Sequence, residues 1–417
     1  MLLKFSCSNH RSIRKEVTLS AEAGKDTVNL DKLAHFNDLR ISKTVVIYGA
    51  NGSGKSNLLD ALIFVRSLVI NSIKHQPGRG IRQIPHKLES LATDSTYRIC
   101  FITGGVRYEF GFTLNNLLVK KEYLYAFPNG RQTKIYERLG DKFVSGSKFR
   151  GKFSACKNVL KPNRLLLSCA ANFSAVNEID AVFKFFRDEL VIYPKHNNIN
   201  YWLEYSLWQI HDNPESKEKI IKLMNALGVK VKDIEVKIEQ RDFDLNKTPL
   251  ADFLSDEFKK QIIQGKTNVA YARFVYDKFS TDLNSEESSG TKKLFTLLCP
   301  LIDIIEKGKV LFCDELESSL HEILVEKIVK MFLSPDNAQA QIFFTTHNTG
   351  LLDLDLFRRD QIWFTELKDS DRSTDLYSLA DCKNVRKGEK FSKGYISGRY
   401  GAIPLLNREF TDIVTGK

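Results

Sequence analysis

Along the 417 residues, short apolar runs alternate with longer stretches whose apolar residues recur at helical spacing. Residues 2–7 and 17–21 read as strands, and so do 97–103 and 106–113, which flank Gly104-Gly105 as the arms of a hairpin. Val45, Val46, Ile47 and Tyr48 form an unbroken apolar run, the pattern of a parallel strand buried on both faces. From Asn57 onward the apolar residues Leu58, Leu59, Leu62, Ile63 and Val65 follow a helical period. Residues 120–127 read as a further strand. The stretches 179–186 and 220–227 read as helices, as does the run Leu294, Leu297, Leu298 and Leu301. Two more apolar runs, 309–313 and 341–345, have the look of buried strands. There is no internal repeat, heptad series or low-complexity tract, which excludes a long-armed coiled coil.

Between the first buried strand and its helix lies Gly49-Ala50-Asn51-Gly52-Ser53-Gly54-Lys55-Ser56, a complete Walker A loop in strand–loop–helix context. Glycines at 49, 52 and 54 allow the backbone to turn its N–H groups inward around phosphate oxygens. The helix that starts beside Lys55 adds the positive end of its dipole. Lys55 is expected to reach the β- and γ-phosphates and the Ser56 hydroxyl to ligate Mg²⁺, with Asn51, Gly52, Gly54 and Asn57 completing the nucleotide cradle. A chance glycine loop before a helix is the competing reading, and full motif plus context weighs against it. The chain is therefore expected to bind a nucleoside triphosphate. No N-K-x-D base-reading element is evident, so ATP is preferred over GTP.

Composition fits that picture and narrows it. A hydrophobic content of 42% is ample for one large or two modest cores. No apolar stretch approaches the roughly 20 uncharged residues of a membrane span, and the opening residues lack the apolar core of a signal peptide. The seven cysteines are scattered without a C-x-x-C pair, as in a cytoplasmic protein with reduced thiols. A net charge of +11 gathers in three stretches: Lys74, Arg79, Arg82 and Lys87; Lys148, Arg150, Lys152, Lys157, Lys161 and Arg164; and Lys383, Arg386, Lys387, Lys390, Lys393 and Arg399. Such clusters fit nucleic-acid phosphates or an ordinary solvated surface equally well, so DNA stands as a candidate partner only.

The remaining chemistry lies toward the other end. Residues 309–315 read K-V-L-F-C-D-E, a strand closing on two acids in a Walker B pattern. Asp314 is expected to hold Mg²⁺ and Glu315 to act as general base on the attacking water. Residues 341–347 read Q-I-F-F-T-T-H, a strand delivering His347 to the carboxyl edge where ligand groups collect in parallel sheets, so His347 is a candidate γ-phosphate sensor. Between the two Walker motifs, N-S-E-E-S-S-G-T-K-K-L (284–294) opens a helix with Ser288, Gly290 and Thr291, a turn suited to donate to an anion but equally to a simple cap.

In this order the motifs clearly resemble the ABC-type ATPase heads of the SMC, RecF and OLD group, and most closely the bacterial abortive-infection AAA-type ATPases. The resemblance rests on G-A-N-G-S-G-K-S (49–56), E-S-S-G-T-K-K-L (287–294) as signature, L-F-C-D-E-L-E-S-S-L-H (311–321) as Walker B with D-loop, and T-T-H-N (345–348). It extends to R-R-D-Q-I-W-F (358–364), G-Y-I-S-G-R-Y-G-A-I-P (394–404) and the opening K-F-S-C-S-N-H-R-S-I (4–13). The signature lacks the usual leucine–serine–glycine–glycine, and Gln83 is the candidate for the glutamine loop. The resemblance implies an α/β P-loop NTPase, an ABC-type head with a mixed β-sheet flanked by helices. It implies an N-terminal lobe at 1–115, an insertion at 116–265, mixed then mainly helical, and a C-terminal lobe at 266–417. It also implies a homodimer or higher homo-oligomer in which the Ser288–Thr291 turn of one protomer closes over its neighbour's ATP.

In function, the resemblance implies an ATP-hydrolysing regulator of anti-phage abortive infection. It would control a separately encoded effector, either a TOPRIM-type nuclease or another toxin. A RecF-style DNA repair ATPase is the alternative. An OLD-type nuclease is a third reading, but the D-x-D at Asp353 and Asp355 has too little chain after it for another domain of roughly 100 residues.

Overall fold

The structure, a computed structural model, describes residues 1–193, 199–242, 266–383, 385 and 390–404. The chain divides into two units, the first formed by Met1–Tyr193, Ile304–Ser318 and Val325–Lys417 and the second by Pro194–Asp303 and Ser319–Leu324.

The first unit holds two large sheets. One is antiparallel with seven strands, in spatial order β10-β9-β8-β7-β6-β1-β2. Its members are β1 (Leu2–Ser8), β2 (Val17–Ser20), β6 (Ser95–Thr103), β7 (Val106–Leu114), β8 (Val119–Phe127), β9 (Thr133–Leu139) and β10 (Lys142–Ser145). Thr103 pairs with Val106, and both Gly104 (φ 56°) and Gly105 (φ 71°) have the positive φ of a two-residue type I′ turn, so the glycine pair does dictate the hairpin. A two-stranded ribbon, β3 (Leu33–Phe36) and β4 (Leu39–Ser42), follows β2 in the chain.

The other sheet has six strands in the order β11-β15-β16-β5-β17-β18. It comprises β5 (Thr44–Gly49), β11 (Leu190–Tyr193), β15 (Val310–Cys313), β16 (Gln341–Thr345), β17 (Ile362–Leu367) and the antiparallel edge strand β18 (Thr374–Ser378). The neighbours from β11 to β17 pair in parallel. Strands β5, β15 and β16 are buried along their whole length, which is why they read as continuous apolar runs.

Helix α1 (Lys55–Asn71) follows β5. Its buried stripe of Leu58, Leu59, Ala61, Leu62, Val65, Leu68 and Val69 keeps the helical period, whereas Ile63 is 42% exposed and stands outside the stripe. Through Lys74, this is the one helix among the described residues long and apolar enough to cross a membrane. Its stripe instead belongs to a core shared by both sheets, together with Leu3, Phe5, Phe101, Phe110, Phe312 and Phe343. Three short helices, α2 (Cys156–Val159), α3 (Leu166–Phe173) and α4 (Asn177–Lys184), also belong to the first unit. None of the seven cysteines is in a disulfide.

The lobe boundary expected at 115 falls inside the seven-stranded sheet, because β7 pairs with β8 along its length and β8 with β9. Residues 116–193 therefore cluster with the first unit and not with an insertion. A buried ion pair makes that part integral. Glu122 and Arg138 have no exposed side-chain surface and approach to 3.4 Å. Glu122 also accepts from the amides of Leu166 (2.6 Å) and Leu167 (2.8 Å) and from the Tyr136 hydroxyl (2.8 Å), so it caps α3 from the sheet. Removing one member of a buried pair strands the other charge, so Glu122→Gln is expected to cost about 3 kcal/mol. A chemical denaturation midpoint unchanged from wild type would contradict this.

The second unit contains a three-stranded sheet of β12 (Asp233–Asp242), β13 (Lys266–Val275) and β14 (Ser280–Asp282) and the helices Ile199–Asp212 and Pro214–Ala226. The helix Ser289–Glu306 also opens there, so the stretch 266–303 expected in the C-terminal lobe clusters with this unit. The expected helix at 220–227 is the last part of Pro214–Ala226 with Leu227 as its C-cap, and the N-terminus of that helix is capped by the Asn213 side chain.

Candidate functional site

Parallel strands end at one edge, and three consecutive ones, β15, β16 and β5, deliver Asp314, His347 and the glycine loop to it. The loop fits because its glycines are glycines. Gly54 has φ 107°, and a Cβ there would lie 2.0 Å from Thr374 Oγ1. Thr374 Oγ1 in turn donates to the Ser53 carbonyl at 2.9 Å and lies 2.7 Å from Ser12 Oγ, which accepts from Asn57 Nδ2 at 2.7 Å. Ser53 Oγ is 2.6 Å from Thr365 Oγ1 on β17. The loop is thereby pinned to β17, to β18 and to the N-H-R-S turn after β1.

Lys55 is 6% exposed, and its ammonium donates to the carbonyls of Gly49 (2.7 Å) and Ala50 (3.0 Å), lying along the loop that it would serve. Asn51 and Gly52 are exposed at the tip. Ser56, the next residue on α1, donates its hydroxyl proton to Asp314 Oδ2 at 2.8 Å. The other Asp314 oxygen accepts from Thr345 Oγ1 at 2.6 Å, and Thr345 Oγ1 itself accepts from the Glu315 amide at 2.7 Å. Thr345 thus orients both Walker B acids. Only its place two residues before His347 in the T-T-H-N stretch hinted at this.

Glu315 holds a left-handed backbone (φ 50°), a conformation that costs a non-glycine residue of order 1 kcal/mol or more and persists only where the surroundings impose it. Here the Thr345 bond to its amide and the Leu316 amide on the Thr345 carbonyl (3.2 Å) impose it. Glu317 Oε1 accepts from the His347 amide at 2.6 Å, while its buried Oε2 finds no hydrogen-bond donor among the described residues. Although His347 reaches solvent, partial burial first and the Lys55 charge second lower its imidazole below the usual value, against the pull of Glu317, Glu315 and Asp314. Near neutral pH the ring is thus held toward its neutral form.

The donor set fits Mg²⁺ and a triphosphate. A serine hydroxyl and one carboxylate in contact are the protein share of a Mg²⁺ site whose other ligands are waters and phosphate oxygens. The buried Glu317 Oε2, without a hydrogen-bond partner among the described residues, fits a cation or ordered water beside it.

The other sequence candidates have contacts of their own. Ser288 Oγ accepts from the Thr291 amide at 3.1 Å and lies 2.9 Å from Thr291 Oγ1, capping the helix Ser289–Glu306 of the second unit. A Cβ on Gly290 would come within 3.0 Å of the Ser319 carbonyl. The Gln83 Nε2 donates to the Thr93 carbonyl (3.0 Å) and to Ser95 Oγ (2.7 Å), while its buried Oε1 finds no hydrogen-bond donor among the described residues. Asp353 accepts from the Asp355 amide at 2.9 Å within a turn.

A family model described as "AAA domain, putative AbiEii toxin, Type IV TA system" matches residues 45–150 and 168–353. Among solved structures, the chain is similar to an SmcHead bound to the C-winged helix domain of ScpA, at 13% identity and a TM-score of 0.43, covering 90% of this chain and 97% of that one. It is also similar to the SMC head domain from Thermotoga maritima, at 14% identity and a TM-score of 0.40, covering 90% of this chain and 98% of that one. No curated protein matches it.

Proposed function

The chain belongs to the AAA-domain family described as "AAA domain, putative AbiEii toxin, Type IV TA system", and we propose that it is an ATP-hydrolysing switch that regulates a cytoplasmic anti-phage defence system. The observation that carries the ATPase reading is the 2.8 Å contact of Ser56 with Asp314, which joins Walker A and Walker B across 258 residues.

Lys55 and the N-terminus of α1 bind the β- and γ-phosphates, and Ser56 with Asp314 holds Mg²⁺, which when bound neutralises charge on those phosphates. Glu315 takes a proton from a water whose oxygen attacks the γ-phosphorus. The bond to the β,γ-bridging oxygen breaks, and ADP leaves with that electron pair. His347, held toward neutral by its surroundings, senses the γ-phosphate edge. Glu317 orients the backbone of His347 through the bond to its amide.

The unit of action is a homodimer or larger homo-oligomer in which the Ser288–Thr291 turn of one protomer closes over the ATP of another. Ser288→Arg then loses ATPase activity while still binding nucleotide, and Lys55→Ala is inactive on its own. An equal mixture recovers roughly a quarter of the wild-type rate, the share of intact interfaces in a random two-fold dimer. A mixture that stays inactive although mixed oligomers form would remove the trans arrangement.

Support for the defence role is the family description, which names a toxin–antitoxin system. The regulated effector is a separately encoded toxin, of TOPRIM-nuclease type in this reading. Phage plating on cells carrying the gene with its neighbours tests it: plating is reduced with the intact gene and restored by Lys55→Ala. Equal plating in both strains would remove the defence role and leave the ATPase reading standing.

A further inference from the structure

Two segments far apart in sequence carry no acid at all. Residues 61–88 and 142–177 together make 64 positions, and 51 acids spread evenly over 417 residues would put about eight of them there. The same positions hold twelve lysines and arginines. In the fold they are sewn together. The buried Asn163 amide donates to the carbonyls of Gln76 (2.8 Å) and Arg79 (2.7 Å). The Arg164 guanidinium donates twice to the His75 carbonyl, at 3.0 and 2.8 Å, and once to that of Val159. These bonds use backbone acceptors, so they neutralise none of the surrounding charge. Lys74, Arg79, Arg82 and Lys87 from one segment and Lys148, Arg150, Lys152 and Lys157 from the other are exposed. The acids that follow the first segment are already engaged, Glu89 with Arg14 (2.9 Å) and Asp94 with Lys120 (2.6 Å). The acid that precedes it, Asp60, is held by His10 and Arg11.

Within the first segment is a cleft of about 260 Å³ lined by the apolar Phe64, Leu68 and Ile81, by His75, and by the cations Arg79 and Arg82. The Phe64 ring, packed on Tyr97 and His10 and still partly exposed in the cleft beside Arg79 and Arg82, with more cations beyond, offers what a strand with an unpaired base requires: a surface for stacking and a track for the backbone. A continuous duplex presents no unstacked base to enter the recess.

We propose that this seam is a binding surface for single-stranded nucleic acid, with phosphates along the paired basic segments and a base in the Phe64 cleft. The surface lies apart from the Walker loop in chemistry: it offers no Mg²⁺ ligand pair and none of the residues assigned to ATP.

Fluorescence anisotropy of labelled 20-nucleotide DNA and RNA strands against the full chain tests it. With ~6 phosphate contacts at ~0.7 ion each, raising salt from about 50 to 200 mM weakens binding by about 300-fold. The pairs Arg79→Glu with Arg82→Glu and Lys148→Glu with Lys152→Glu each lower affinity roughly tenfold or more. Exposed cations elsewhere, Lys121→Glu with Lys327→Glu, change it by less than about threefold. Phe64→Leu, which keeps an apolar side chain at the site, costs roughly tenfold if a base stacks there. Lys55→Ala binds the strand as wild type does, so failure of this surface and failure of the ATP site are told apart. Equal loss from the control pair, tighter binding of a duplex than of its strands, or equal competition by polyglutamate would each overturn the assignment.

Discussion

Glu315→Gln lowers the rate of ATP hydrolysis by ~10²–10⁴-fold, the usual share of general-base catalysis, while ATP still binds. Glutamine keeps the shape of the side chain and its backbone, so the left-handed conformation at 315 and the Thr345 contact to its amide survive. What is lost is the acceptor for the proton of the attacking water. Phosphate release under saturating ATP measures the effect, and a fluorescent ATP analogue measures binding in the same preparation. A loss smaller than about tenfold would move the base elsewhere, to Glu317 first, whose buried Oε2 finds no donor among the described residues.

Lys55→Ala weakens ATP binding by about 10³-fold, the equivalent of the ~4 kcal/mol that two charges about 4 Å apart exchange at an effective dielectric near 20. The ammonium is buried against the Gly49 and Ala50 carbonyls, so little solvent screens it from a phosphate in the loop. Alanine is a strong helix former at the start of α1, and the loop stays pinned through Ser53 and Thr374, so the fold is retained. Isothermal titration with ATP and Mg²⁺ gives the affinity, and circular dichroism gives the fold. Affinity within threefold of wild type in a folded variant would place the triphosphate somewhere other than this loop.

Both predictions rest on residues legible from the chain alone, because their chemistry is local. Gly49 to Ser56 specify a loop by short-range sterics: glycines where φ is positive, a lysine one step into the helix, an apolar run before and a periodic one after. The Gly104-Gly105 hairpin and the buried strands 310–313 and 341–345 were readable for the same reason, since turn chemistry and the pattern of burial span only a few residues.

What the sequence could not give were the partners that lie hundreds of positions away. Nothing near Asp314 announces that one oxygen meets Ser56 and the other Thr345, or that Thr345 also holds the Glu315 amide. The expected lobe boundary near 115 fell inside a sheet because strand pairing is set by cross-strand packing, to which the order of motifs along the chain is blind. Nor does the chain around Gln83 announce that its side-chain nitrogen meets the Thr93 carbonyl and Ser95 Oγ. Likewise, each basic segment alone was indistinguishable from a solvated surface, and tertiary contacts such as those of Asn163, Arg164, Ser72 and Ser168 bring the two together. By itself the sequence determined which chemical groups the chain owns and the local frames that carry them. Which groups meet was decided by tertiary structure, since the energy of a hydrogen bond or a charge depends on distance in space, and separation along the chain does not report it.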